Sequence, residues 1–198
     1  MVIACGALAR EVLAICHANQ LDHIELTCLP AQLHNTPEKI PGAVRAAVIE
    51  NRPHYDDILV AYADCGTGRL LDKVLEETGA RRIDGAHCYA FFTGLKTFDA
   101  LEETQLGTFY LTDFLARHFQ TMVIEPLGLH RAPELRDMYF SHYTRVLYLA
   151  QTDNPALEIA AQKAADRLGL PLEIRRTGYG LLGEFLAPKA PTRNQARL

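Results

Sequence analysis

The feature that most constrains this chain is an apolar run ending in a cysteine, then a glycine turn and a helix. Its fullest form is Asp57-Asp-Ile-Leu-Val-Ala-Tyr-Ala-Asp-Cys65-Gly-Thr-Gly68-Arg-Leu-Leu-Asp-Lys-Val-Leu75. Ile58 to Ala63 reads as a strand covered on both faces, and Arg69 to Thr78 as a helix closed by Gly79. The start repeats the pattern in Met1-Val-Ile-Ala-Cys5-Gly6, where Leu8, Val12 and Ile15 then follow helical spacing. A third version, with a weaker strand, runs from Arg82 through His87-Cys88 to Phe92. Aliphatic packing does not require a cysteine at each strand-to-helix junction. A binding site does.

Further apolar runs at Ile24–Leu29, Gly107–Thr112, Arg145–Ala150 and Leu172–Arg176 alternate with helical stretches. Thr36-Pro37-Glu38 carries the signals of a helix start, and Asp153-Asn-Pro155 opens an amphipathic helix ending near Gly169. Strands alternating with helices imply right-handed crossovers and a mainly parallel sheet flanked by helices. The expected fold is therefore α/β, a Rossmann-like layered arrangement over residues 1–186 as a single domain. Residues 187–198, rich in proline, alanine and basic side chains, read as a flexible C-terminal tail. In such sheets ligands bind beyond the carboxyl ends of the strands. Cys5, Cys65 and Cys88 sit at those ends and His34 in the loop after the second strand, so distant residues should meet on one edge.

A net charge of -4 gives no footprint for nucleic acid or an anionic membrane surface. No apolar run approaches the roughly 20 residues of a membrane-crossing helix. The sequence shows no basic segment followed by an apolar stretch and a cleavage site, which leads us to expect a cytoplasmic protein. There an odd count of five cysteines argues against a disulfide framework. Cys16 inside the first helix and Cys28 inside a strand read as small buried hydrophobes.

A thiolate at the start of a helix is stabilised by unpaired backbone N–H groups. Three close thiolates repel one another unless a cation or cluster neutralises them. Zinc held by Cys5, Cys65, Cys88 and an imidazole, from His34 or His87, answers that need. An iron–sulfur cluster on the three cysteines, or a redox or nucleophilic cysteine without metal, are the alternatives. The local C-x-x-C signature is absent, so the site rests on convergence through the fold. Gly66 and Gly68 half-match a dinucleotide fingerprint, but Leu71 stands where its third glycine would be. They remain candidates for lining a bound group, as do Tyr110 and Tyr179 through their hydroxyls. Asp64 and Asp84 can accept from a ligand imidazole, although turn formation explains aspartate there equally well.

Several residues together resemble a known family: Cys5-Gly6, Leu33-His34 with Pro37, Tyr62, Cys65-Gly66, His87-Cys88, and Gly107-Thr-Phe-Tyr-Leu-Thr112. The pattern is similar to the family called domain of unknown function 1638, and covers most of the chain. Members of that family often accompany corrinoid-dependent methyltransferases, corrinoid proteins and their reductive activators. The resemblance implies a role in one-carbon metabolism, with a small-molecule or corrinoid-linked substrate. A corrinoid protein or methyltransferase is the implied partner, and an accessory rather than catalytic role is open. Where the family pattern leads us to expect Asp-Cys, this sequence has His87-Cys88, so His87 is either a further ligand or a substitute for an acid. An exchangeable position on the metal would let it activate a thiol, thiolate or water as a Lewis acid.

Overall fold

Val2 to Cys5 has no exposed side chain and lies inside a sheet, as an apolar run without alternation should. The structure, a computed structural model, describes residues 1–187. The expected tail lies, beyond Ala187, outside the described residues. β1 (Val2–Cys5) pairs in parallel with β2 (Leu26–Leu29) on one side and β3 (Leu59–Ala61) on the other, and β4 (Arg81–Arg82) follows β3. Ala4 stands opposite both Cys28 and Ala61, which brings the carboxyl ends of β1, β2 and β3 level.

The α/β class, parallel strands and flanking helices agree with the sequence pattern, but the strands divide between two sheets. β5 (Thr108–Thr112), β6 (Arg145–Ala150) and β7 (Leu172–Arg176) form the second, again parallel, with β6 central and buried beyond Arg145. β4 spans two residues and offers too short an edge to template another strand. After it the chain turns into two helices, Tyr89–Thr93 and Leu95–Thr104, before re-entering extended structure.

The helices, taken in chain order, are α1 (Ala9–Ala18), α2 (Ile40–Asn51), α3 (Leu70–Thr78), α4 (Tyr89–Thr93), α5 (Leu95–Thr104), α6 (Asp113–Arg117), α7 (Leu135–Phe140), α8 (Pro155–Leu168) and α9 (Gly180–Leu186). Their ends follow ordinary chemistry. Asn154 accepts the Ala156 N–H at 3.0 Å to start α8, with Pro155 where a missing N–H costs nothing. The expected start at Thr36-Pro37 opens a short 3-10 turn, Pro37–Lys39, and α2 proper begins at Ile40. Gln120–Ile124, ambiguous in sequence, winds as a π-turn.

Two elements tie the sheets together. α4 turns Phe91 and Phe92 into the core of the first sheet and Ala90 toward Tyr110, Leu147 and Leu149 of the second. α9, which follows the last strand of the second sheet, buries Leu182 and Leu186 in the core of the first. Its close approach to α4 requires glycine at 180, where φ is +46° and a Cβ would stand 2.4 Å from the Phe91 carbonyl oxygen.

One expectation is corrected. Cys28 is exposed rather than buried, because β2 is an edge strand and leaves one face to solvent. Cys16 does pack, half-buried, against the first core.

Candidate metal centre

The loops that follow β1, β2, β3 and β4 converge beyond the carboxyl edge of the first sheet. After β3 the pairing with β4 is carried on by the Asp64 and Cys65 N–H groups, which donate to the Gly85 and Ala86 carbonyls, each at 2.9 Å. That zipper delivers the Gly85–Cys88 segment alongside Cys65. The turn itself is built from left-handed backbone: φ is +50° at Cys65, +82° at Gly66, +60° at Gly68 and +68° at Arg69. For non-glycine residues this conformation costs on the order of 1–2 kcal/mol each. The Asp64 carboxylate offsets it by accepting from the Thr67 hydroxyl (2.7 Å), the Arg69 N–H (2.7 Å) and the Gly68 N–H (3.2 Å). Burial pushes the Asp64 carboxyl up, and those hydrogen bonds outweigh it and hold the group below its ordinary value.

Ligand atoms of His34, Cys65 and Cys88 all lie within 4.8 Å of one another. That trio can hold a metal ion. His34 is presented by the 3-10 turn Ala31–Asn35 that follows β2, and its ring stacks on Tyr62 at 6.1 Å and 12°. Its Nδ1 lies 3.1 Å from the Ala31 carbonyl oxygen, which can only accept. Nδ1 therefore carries the proton in this contact, and Nε2 is the nitrogen left with a lone pair for a metal. Cys5 is buried at the end of β1, where its Sγ accepts the Ala7 N–H at 3.3 Å and lies 3.7 Å from His34 Nδ1. It adjoins the trio through His34 without being part of it.

The electrostatics of the metal-free trio are those of an ion pair. A hydrogen bond from the Cys88 thiol lowers the Cys65 pKa, burial opposes it, and His34 adds to it, leaving Cys65 at about 4. Cys88, holding the shared proton and half-buried, is pushed well above the ordinary thiol value. Burial pulls the His34 imidazolium down, but hydrogen bonds and charge from Cys5 and Cys65 raise it to about 10. A cation entering here meets one thiolate already formed, and displaces the remaining protons.

Beside the trio lies a cavity of about 270 Å³. His34, Cys65 and Cys88 line one side, and Phe109, Phe114, Leu115, Met122 and Val123, from the second sheet and the segments after it, line the other. His87 also lines it, its ring stacked on Tyr89 at 4.7 Å and its Nδ1 buried without a hydrogen-bond partner. Burial lowers the His87 pKa, so that ring is held neutral. A larger hollow of about 500 Å³ at the amino ends of the first sheet, beside the Arg81–Asp57 pair, is at the wrong edge for a parallel sheet to bind its ligand.

The other expected residues lie elsewhere. Gly66 and Gly68 shape the Asp64 turn, and neither is among the residues lining the cavity. Tyr110 is buried in an aromatic stack behind Tyr89, 5.1 Å away, and Tyr179 packs against the first core. Asp84 is exposed, 4.0 Å from Arg82. Sequence reasoning gave no role to Tyr62, whose fully buried hydroxyl lacks a partner, nor to Phe114, Leu115, Met122 and Val123 of the apolar wall; the Gly107–Thr112 segment, expected to close the pocket, does supply Phe109 and Thr112 to its lining. It also missed Asp113, fully buried, which accepts from the Tyr148 hydroxyl at 2.7 Å and the Gln151 N–H at 3.0 Å and so ties the ends of β5 and β6. The signal available was position: Asp113, like the cysteines, ends an apolar run.

A family model described as "Protein of unknown function (DUF1638)" matches residues 28–186. No curated protein and no solved structure matches the chain.

Proposed function

The chain belongs to the DUF1638 family of proteins of unknown function, and we propose that it is a metal-binding protein whose centre is held by His34, Cys65 and Cys88. The observation that carries this is the meeting of their ligand atoms, from three separate loops, within 4.8 Å. Zinc is the metal of first choice. Two sulfurs and one imidazole suit a tetrahedral zinc site, whereas an iron–sulfur cluster calls for more sulfur than the trio offers. A position left open on such an ion acts as a Lewis acid. The corrinoid-linked, one-carbon setting, with a corrinoid protein or methyltransferase as partner, is carried by the family resemblance.

Elemental analysis of protein purified without a metal-affinity tag tests the reading. Near-stoichiometric zinc in a colourless protein is expected. A brown protein absorbing near 400 nm would assign an iron–sulfur cluster instead. Metal-free protein with all five thiols freely titratable would remove the metal altogether. One observation favours a second reading in that case: Cys65 is held as a thiolate beside the His34 imidazolium, the arrangement of a cysteine nucleophile. Rapid alkylation of Cys65 alone near neutral pH would then be the outcome.

A further inference from the structure

We infer that the metal has three protein ligands and that its fourth position opens into the 270 Å³ cavity, where it takes a small uncharged molecule through an oxygen or nitrogen donor. This rests on the metal-binding reading and adds the class of ligand.

Two observations set Cys5 apart from the three ligands. It approaches His34 at Nδ1, the nitrogen that faces the Ala31 carbonyl, and not at Nε2. It is also absent from the residues lining the cavity, whereas His34, Cys65 and Cys88 all line it. Cys5 instead helps to orient the imidazole.

Charge then selects the occupant. A divalent zinc ion with two thiolates and a neutral imidazole is a neutral unit. Among the described residues no aspartate, glutamate, lysine or arginine lines the cavity, and the wall opposite the metal is Phe109, Phe114, Leu115, Met122 and Val123. A carboxylate, phosphate, ammonium or substrate thiolate would lose hydration there with no charged side chain to replace it. A neutral donor keeps the site neutral and buries its apolar body against the wall. Size narrows the choice further: the cavity measures about 270 Å³. That is below the usual range for drug-sized ligands. It suits a short amide, alcohol, aldehyde or ketone.

The test uses the full chain with cobalt(II) in place of zinc, read by its visible ligand-field bands and its thiolate-to-cobalt charge-transfer absorption. Four probes share one branched skeleton: isobutyramide, isobutyrate, isobutylamine and isobutyl mercaptan. Isobutyramide is expected to shift the ligand-field bands saturably, at least about tenfold tighter than any of the other three, the least that burying an unpaired charge should cost. Cys5→Ser, with Cys5→Ala as a second variant, is expected to keep the full charge-transfer intensity. The inference is overturned if isobutyrate, the amine or the mercaptan binds as tightly as the amide, or if no probe moves the bands. It is equally overturned if a Cys5 variant that binds cobalt loses one thiolate's share of the charge-transfer absorption. In each of those outcomes the metal centre stands. A cobalt protein with no thiolate charge-transfer band at all would fail at the earlier step, the metal centre itself.

Discussion

Cys65 is the residue on which the site turns, because it supplies a preformed thiolate from a strained left-handed position. Cys65→Ser should weaken zinc binding by more than the roughly 10–100-fold that follows loss of an outer hydrogen bond to a ligand. Cys28→Ser, on the exposed edge strand, should leave zinc content unchanged; competition with a coloured chelator measures both. Glu11 gives a second prediction. It is buried with Oε2 unpartnered, and burial raises its pKa, as does the charge of Asp113, against its own backbone hydrogen bond, Arg117 and Arg10. A carboxyl whose folded pKa is raised binds more protons folded than unfolded, so stability falls as pH rises from the ordinary value of 4.5 through the raised one. Glu11→Gln should therefore raise Tm at pH 7, by roughly 2–4 °C for each kcal/mol regained, and leave it nearly unchanged at pH 4. At this scale the sequence was informative where a residue ended a strand. Cys65, Cys88 and His34 stood out for that reason. The burial of Glu11 and the exposure of Cys28 did not, since both depend on neighbours that are distant in the chain.

Among the elements, α9 tolerates little change at its first residue. Its first residue is pressed against the carbonyls of Phe91 and Phe92, at 2.4 and 2.6 Å from where a Cβ would lie, with φ at +46°. Gly180→Ala should cost at least about 2 kcal/mol, combining overpacking against rigid backbone with a disfavoured φ. Chemical denaturation would show it as a lower midpoint with an unchanged slope. The helices and strands themselves were largely legible, since periodicity, Pro155 and Gly79 are local signals. The split into two sheets was not. Which strand pairs with which is decided by edges and by the path taken between β4 and β5, and no window of sequence contains that information.

For the molecule as a whole, we propose that residues 1–186 form a single domain in spite of the two sheets. α4 contributes to the cores on both sides, and Met122 is packed against both as well. A single calorimetric transition is the expected result, and two separated transitions would divide the chain. Stripping zinc with a chelator should lower that transition without splitting it. The loss should reach about 2.7 kcal/mol where free metal had stood at a hundred times its Kd. The described residues contain no helix long and apolar enough to cross a membrane. The cavity is walled by one half of the chain and armed by the other: His34, Cys65 and Cys88 precede residue 89, while Phe109, Phe114 and Met122 follow it. On the proposed reading, reactivity and selectivity are inherited on different stretches of polypeptide. Met122→Ala should accordingly admit a bulkier amide than isobutyramide while the ion stays bound as before. Relatives that differ only along that second stretch would share one metal and choose different guests.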